Sequence, residues 1–364
     1  MIKNVFLIVF IVCFTQIGVG QKTTSNPKVI LITLDGFRWQ ELFTGADSKL
    51  VGNEEYVSNP DWLKEQYWLE SSTDRREVLL PFIWNEVTQM GQIHGNIALG
   101  SKVNLTNTMW FSYPGYNEIL SGKADDNRIT SNDKMINPNK TMLELVNDTK
   151  KYKGKVAAFG SWDVFPYIIN EERSGVPVNA GYENVLGDNL TEKEQLLNEL
   201  QEQTPKLWGS VRLDAFTHIF AKEYMKKNHP ELLYISYGET DDFAHQGNYQ
   251  SYLKSATRTD AMLKDLWEFT QQDSFYKGNT IFIITSDHGR GTIPIDNWRH
   301  HGSNIDGADQ VWFMTFGNNV EVLGEVDEKE QLYSTQVTPT ILKLLDVPYD
   351  TSKLKGTPLN LLKD

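Results

Sequence analysis

The sequence predicts an α/β fold built on a mostly parallel sheet with helices on both faces. Three observations carry this. Short apolar, β-rich runs recur along the chain and alternate with helical stretches, as strands and crossover helices do. Several runs are apolar throughout and not at alternate positions, as in strands buried on both faces. Acidic and histidine-bearing clusters follow the runs by a few residues, where such sheets gather functional groups at the carboxyl ends of their strands.

"KVILITL" (Lys28–Leu34) is the first buried strand and ends at Asp35-Gly36. "HGNIALG" (94–100) reads as a short strand. "KVAAFG" (155–160), "LLYISYG" (232–238), "TIFIITS" (280–286) and "QVWFMTFG" (310–317) repeat the pattern. Helical stretches are expected over 76–91, 192–202, 212–227 and 249–271, and the polar region 45–74 reads as a long surface excursion. No Pro-, Gly- or Ser-rich linker or internal repeat divides the chain, so residues 21–364 are expected to form a single domain.

The chain has 364 residues and a formal net charge of -13. That charge argues against duplex nucleic acid as a partner, because phosphate backbones need clustered Lys and Arg. It leaves room for a phosphorylated substrate held by metal ions. The start, "MIKNVFLIVFIVCFTQIGVGQ", has a lysine, an apolar run and small residues before Gln21. This is the pattern of a cleaved signal peptide over residues 1–20, too short to span a bilayer comfortably, so no stable membrane span is expected after cleavage. The single cysteine, Cys13, lies within it. The mature chain then has no thiol, which excludes cysteine catalysis and cysteine-ligated zinc. Export without disulfides points to a bacterial periplasmic or extracellular protein.

Asp35 in "LDGFR" is the first candidate for chemistry, although an Asp-Gly turn after a strand is common. In "ETDDFAH", Asp241 and His245 stand four residues apart and can converge on a cation from one helical face; an acidic helix start is the plainer reading. "IITSDHGRG" delivers Asp287 and His288 from a strand, with a glycine that lets backbone approach a bound group. "RHHG" supplies His300 and His301. Together these provide oxygen and nitrogen donors for two zinc-type sites, and two such cations about 3.5–4 Å apart clamp the attacking and leaving oxygens of phosphoryl transfer. Ser112 in "TMWFSYPGYNEILSG" fits a helix N-cap or the residue just before it, with Pro114 in the first turn. The same place suits a nucleophile, because a phosphoryl group there faces the positive end of the helix.

The ordered set resembles the alkaline phosphatase superfamily, nearest to its nucleotide pyrophosphatase/phosphodiesterase branch, over nearly the whole mature chain. "LITLDGFRWQEL", "FSYPGYNEILSG", "RITSND", "DDFAH", "TSDHG" and "HHG" carry the resemblance. It implies an alkaline-phosphatase-like three-layer α/β/α sandwich. It implies Ser112 as nucleophile and Asn132, with the Tyr113 N–H, as a holder of phosphate oxygens. It implies two zinc ions, one on Asp241, His245 and His301, the other on Asp35, Asp287, His288 and the Ser112 oxygen. The chain departs from the branch by having Ser112 in place of the usual Thr, and Gly115 in place of Asn. Tyr116 stands where formylglycine sulfatases carry Arg. The function expected is an exported two-metal phosphodiesterase acting through a phosphoserine on a small-molecule or glycan-linked ester. The alternatives are a phosphomonoesterase or serine-dependent sulfate ester hydrolase on the same site, and a non-catalytic metal- or glycan-binding protein. A monoester should recruit a fixed cation, for which Arg173 and Arg290 are candidates.

Overall fold

The computed structural model describes residues 27–363. Eleven strands run in chain order: β1 (Lys28–Leu34), β2 (Gly91–His94), β3 (Ser101–Asn104), β4 (Val156–Gly160), β5 (Val178–Ala180), β6 (Leu232–Tyr237), β7 (Thr280–Thr285), β8 (Gln310–Val311), β9 (Phe313–Gly317), β10 (Gly324–Glu325) and β11 (Glu330–Tyr333). Eight form one sheet in the order β10-β2-β9-β7-β1-β6-β4-β5, and three form a second, β11-β3-β8. In the large sheet β7, β1, β6, β4 and β5 are parallel, while β9 runs antiparallel to both β7 and β2.

Successive residues of a strand point to opposite faces, and both faces are dry here. Ile30, Ile32 and Leu34 of β1 enter one core with Leu233, Ile235, Phe282 and Ile284. Val29 and Leu31 enter the other with Leu232, Tyr234, Ile281 and Ile283. The first core is closed by the helices Asp214–Asn228 and Tyr249–Gln272, through Phe220, Met225, Tyr252 and Leu263. The second is closed by the helices Ser112–Ser121 and Val337–Leu344, through Tyr113, Ile119 and Ile341. The molecule is therefore a mixed α/β sandwich with a mostly parallel sheet in the middle layer.

Four expectations are corrected. The single strand expected over 310–317 is split into β8 and β9, which belong to different sheets. The helix over 76–91 is broken into Ser72–Leu79, Pro81–Asn85 and a short 3-10 turn. Leu80, just before Pro81, sits at φ -132°, ψ 65°, because the proline ring bars its neighbour from the helical region. The strand expected at 94–100 lies earlier, at Gly91–His94, and the chain turns away at Gly95, whose φ is +112°. The region 45–74 is no mere excursion: Leu50, Val51, Tyr56, Val57 and Leu63 are buried in the first core. The signal-peptide segment 1–20 lies outside the described residues. Among those described, no helix is long and apolar enough to cross a membrane.

Candidate active site

Strands β7, β1 and β6 are adjacent and parallel, so their carboxyl ends lie side by side. Neighbouring strands are about 4.8 Å apart, so residues leaving these ends must meet. Asp35 leaves β1, Asp287 and His288 leave β7, and the helix Glu239–His245 starts two residues after β6. Gly36 turns the chain sharply with φ +56°, and a Cβ there would lie 2.9 Å from Arg290 Nε and from His288 Cε1. Its N–H donates to Asp287 Oδ1 at 3.0 Å and so joins the first two of these loops.

His288 is at the centre. Its Nδ1 is 2.9 Å from the Gly289 carbonyl, which leaves Nε2 facing the cluster. That nitrogen is 3.3 Å from Asp35 Oδ1, 3.6 Å from Asp287 Oδ2, 3.7 Å from Asp241 Oδ1 and 3.4 Å from Ser112 Oγ. His301 Nε2 is 3.6 Å from Asp241 Oδ1 and 3.0 Å from His245 Nε2, and His245 Nε2 is 3.3 Å from Asp241 Oδ2. His300 turns away to Asp296 Oδ2, at 3.2 Å. Ser112 opens its helix with Phe111 as the N-cap residue, and no side-chain cap bond is made there. The serine is therefore one position further into the helix than a cap, and its buried hydroxyl faces His288. Asn132 accepts the Tyr113 N–H through Oδ1 at 2.9 Å. That donor, expected to face phosphate, is engaged by the asparagine, whose Nδ2 is the donor left over.

These residues fit divalent cations. Asp35 Oδ1, Asp287 Oδ2 and His301 Nδ1 are buried without a hydrogen-bond partner, a costly state that a bound cation relieves for the two carboxylates. Each carboxylate gives its other oxygen to the scaffold. Two donor groups, Asp35–Asp287–His288 and Asp241–His288–His301, are close enough to share an ion. Electrostatics agree. Burial, and then the Asp241 charge, raise the Asp35 pKa; burial, and then Asp35, raise that of Asp287 well above the usual range. Burial disfavours charge on His288, yet Asp287, Asp35 and Asp241 outweigh it and hold its pKa at about 9. Burial, with His288 beside it, keeps His301 well below the usual histidine value. Asp241 stays well below the carboxylate range despite burial, because Arg290, His245 and His301 surround it. Asp242, partly buried, is pushed to about 9 by burial and then by Asp241 and Asp35. The cluster has more negative charge than its own side chains balance.

Neither arginine proposed as a substrate anchor is free. Arg290 donates to the carbonyls of Gly36, Arg299 and Asp241 and to the Asp241 carboxylate. Arg173 is spent on Glu144 and the carbonyls of Asn137 and Asn139. Phe165 is buried against Tyr116 and Tyr234, and Trp162 and Tyr167 are the partly exposed rings of the same segment. Sequence reasoning named two residues only as departures from family patterns and missed what they do. Gly115 lets the helix press on the strand end, since a Cβ there would meet the Asp287 carbonyl oxygen at 2.1 Å. Tyr116 donates to Asp35 Oδ2 at 2.8 Å, and its place one helical turn after Ser112 was the available signal.

Residues 50–334 match the family model for type I phosphodiesterase / nucleotide pyrophosphatase. That span includes every residue of the cluster except Asp35. The chain is 26% identical over 119 residues to the 2,3-bisphosphoglycerate-independent phosphoglycerate mutase of Ureaplasma urealyticum serovar 10 (strain ATCC 33699 / Western). The match covers 32% of this chain and only 21% of that enzyme, about a fifth of the length of the curated relative. Among solved structures, the alkaline phosphatase PafA superposes with a TM-score of 0.57 at 10% identity, over 92% of this chain and 98% of that one. Ps i-CgsB superposes with a TM-score of 0.56 at 15% identity, over 92% and 75%. At these identities the structures speak for the fold, and the family match carries the assignment: the chain belongs to the type I phosphodiesterase / nucleotide pyrophosphatase family.

Proposed function

We propose that the protein is an exported two-cation phosphodiesterase whose nucleophile is Ser112. One observation carries the reading: Ser112 Oγ, free of any capping bond, lies 3.4 Å from His288 Nε2 beside two carboxylate oxygens that are buried and unpartnered. Asp35, Asp287 and His288, with Ser112, would hold one cation, and Asp241, His245 and His301 the other. Bound there, divalent ions such as zinc would neutralise charge on the attacking and leaving oxygens and make serine and water better nucleophiles. The chain's own residues do the rest. Ser112 Oγ attacks phosphorus in line, the bond to the leaving oxygen breaks, and the serine ester formed keeps the retained alcohol on phosphorus. Water then attacks that phosphorus, which frees Ser112 and releases a monoester. Asn132 Nδ2 is the donor available for a non-bridging oxygen.

The commitment of both arginines favours a diester, with one negative charge, over a monoester. Turnover of a chromogenic diester, a monoester and an aryl sulfate, each with and without chelator, tests this. The diester should be fastest and chelator-sensitive; a preference for the monoester or the sulfate would replace the reading, and chelator-insensitive turnover would remove the cations from it. His301→Ala should lower diester turnover far more than His300→Ala, because only His301 faces His245 and Asp241; the reverse order would mean that the wrong histidine has been assigned.

The sequence of residues 1–20 supports export with removal of that segment, leaving one catalytic domain from about residue 21. Intact mass of material collected outside the cytoplasm should lack it; full-length mass would contradict cleavage.

A further inference from the structure

Asp35 is approached from within the fold by a phenol. Tyr116 stands one turn beyond Ser112, on the same face of the same helix. Its ring is fully buried and meets Phe165 edge-on at 4.8 Å. Its hydroxyl donates to Asp35 Oδ2 at 2.8 Å and accepts from Ser236 Oγ at 3.1 Å. Ser236 in turn accepts from Thr33 Oγ1 at 3.0 Å, and Thr33 and Ser236 are paired in register across β1 and β6. Thr33 Oγ1 is also 2.9 Å from the Tyr234 hydroxyl, which must be the donor there, because the Thr33 proton is already given to Ser236. Four hydroxyls thus form a buried chain with one direction, Tyr234 to Thr33 to Ser236 to Tyr116, and its last proton points at Asp35. Each bond polarises the next, so the final donor is strengthened.

We propose that Tyr116 is a positioning residue for one of the two cation sites. By holding Asp35 Oδ2, it turns the unpartnered Oδ1 toward His288 Nε2, 3.3 Å away, and fixes that oxygen relative to the helix bearing Ser112. The inference rests on the two-cation reading. It assigns to the tyrosine the part that buried hydrogen-bond partners play for metal-ligating carboxylates, whose loss typically costs 10–100-fold in metal affinity. It is specific to one site: among the proposed donors of both sites, the Tyr116 hydroxyl is bonded to Asp35 alone.

The test is a zinc titration of cation-free protein against a competing chromophoric chelator. Tyr116→Phe keeps the ring that packs on Phe165 and removes only the donor. Wild type should bind in two steps. The variant should weaken one step by about ten- to a hundredfold and leave the other in place; His245→Ala should weaken the step that Tyr116→Phe spares. Ser236→Ala, which keeps the phenol but unties it, should weaken the same step as Tyr116→Phe by less, and it serves if the tyrosine variant does not fold. Superimposable curves for wild type and both variants would overturn the proposal. So would equal weakening of both steps with a lower melting temperature of the cation-free protein, since that is a folding effect. If wild type itself binds no zinc, the two-cation reading fails and this extension falls with it, a result distinct from two wild-type steps that the variants leave unchanged.

Discussion

Replacing Ser112 with alanine should abolish diester turnover while leaving the fold nearly as stable as wild type. A serine whose only task was capping would behave oppositely, with alanine costing about 1 kcal/mol and turnover surviving. Here the N-cap residue is Phe111 and the Ser112 hydroxyl makes no cap bond, so stability should change by about 1 kcal/mol or less. Loss of the attacking oxygen closes the covalent route, and turnover should fall at least about a thousandfold. Ser112→Thr keeps the hydroxyl and should retain part of the activity; Ser112→Gly should sit near background with alanine. Steady-state rates paired with thermal melts read both effects. Alanine turning over the best ester at close to the wild-type rate would remove Ser112 from the chemistry.

The second large effect belongs to the cation donors. Asp287→Ala removes a fully buried carboxylate with one oxygen unpartnered and the other anchored by Gly36 N–H. His245→Ala removes the exposed imidazole proposed for the other cation, next to His301. Each variant should fall from about two zinc ions per chain to about one and lose most of its activity. Because the two sites share Asp241 and His288 as near neighbours, the remaining ion should also bind more weakly than in wild type. Elemental analysis decides it: wild-type metal content in both variants would overturn the donor assignment.

How much of this could be read in the sequence depends on the distance over which each feature is determined. The central strands were legible because their apolar runs end abruptly at Asp35, Gly160, Gly238 and Ser286, and the structure ends β1, β4, β6 and β7 within a residue of those points. The direction of β9 was not legible: an apolar run has the same composition in a parallel or an antiparallel strand, and only pairing with β7 and β2 sets it. "QVWFMTFG" was read as one strand, yet it serves two sheets, with Trp312 at the break between β8 and β9. The Leu80–Pro81 break was written in the sequence, since a residue before proline avoids helical angles; the helical pattern on either side overrode it.

The site shows the same division. Asp241 with His245, and Asp287 with His288, were visible from local spacing. That His301 and not His300 faces the cluster was implied by the motif and is seen in the structure only through the path of the loop after the 3-10 turn Ile295–Arg299. The commitments of Arg290 and Arg173 are contacts between segments 9 to 254 residues apart, so their unavailability to a substrate had no sequence signal. Gly115 was noted only as a departure from the family pattern. Its contact with the Asp287 carbonyl shows why a larger side chain has no room at that point of the helix.

The most direct measurement of the central claim is to stop turnover of the preferred diester with acid and map the peptide that contains Ser112 by mass spectrometry. The account predicts that this peptide carries a phosphoryl group together with the retained ester substituent, bonded at Ser112, and that chelator or Ser112→Ala abolishes the adduct. Continued wild-type turnover with no modified peptide, or an adduct on any other residue, would contradict it.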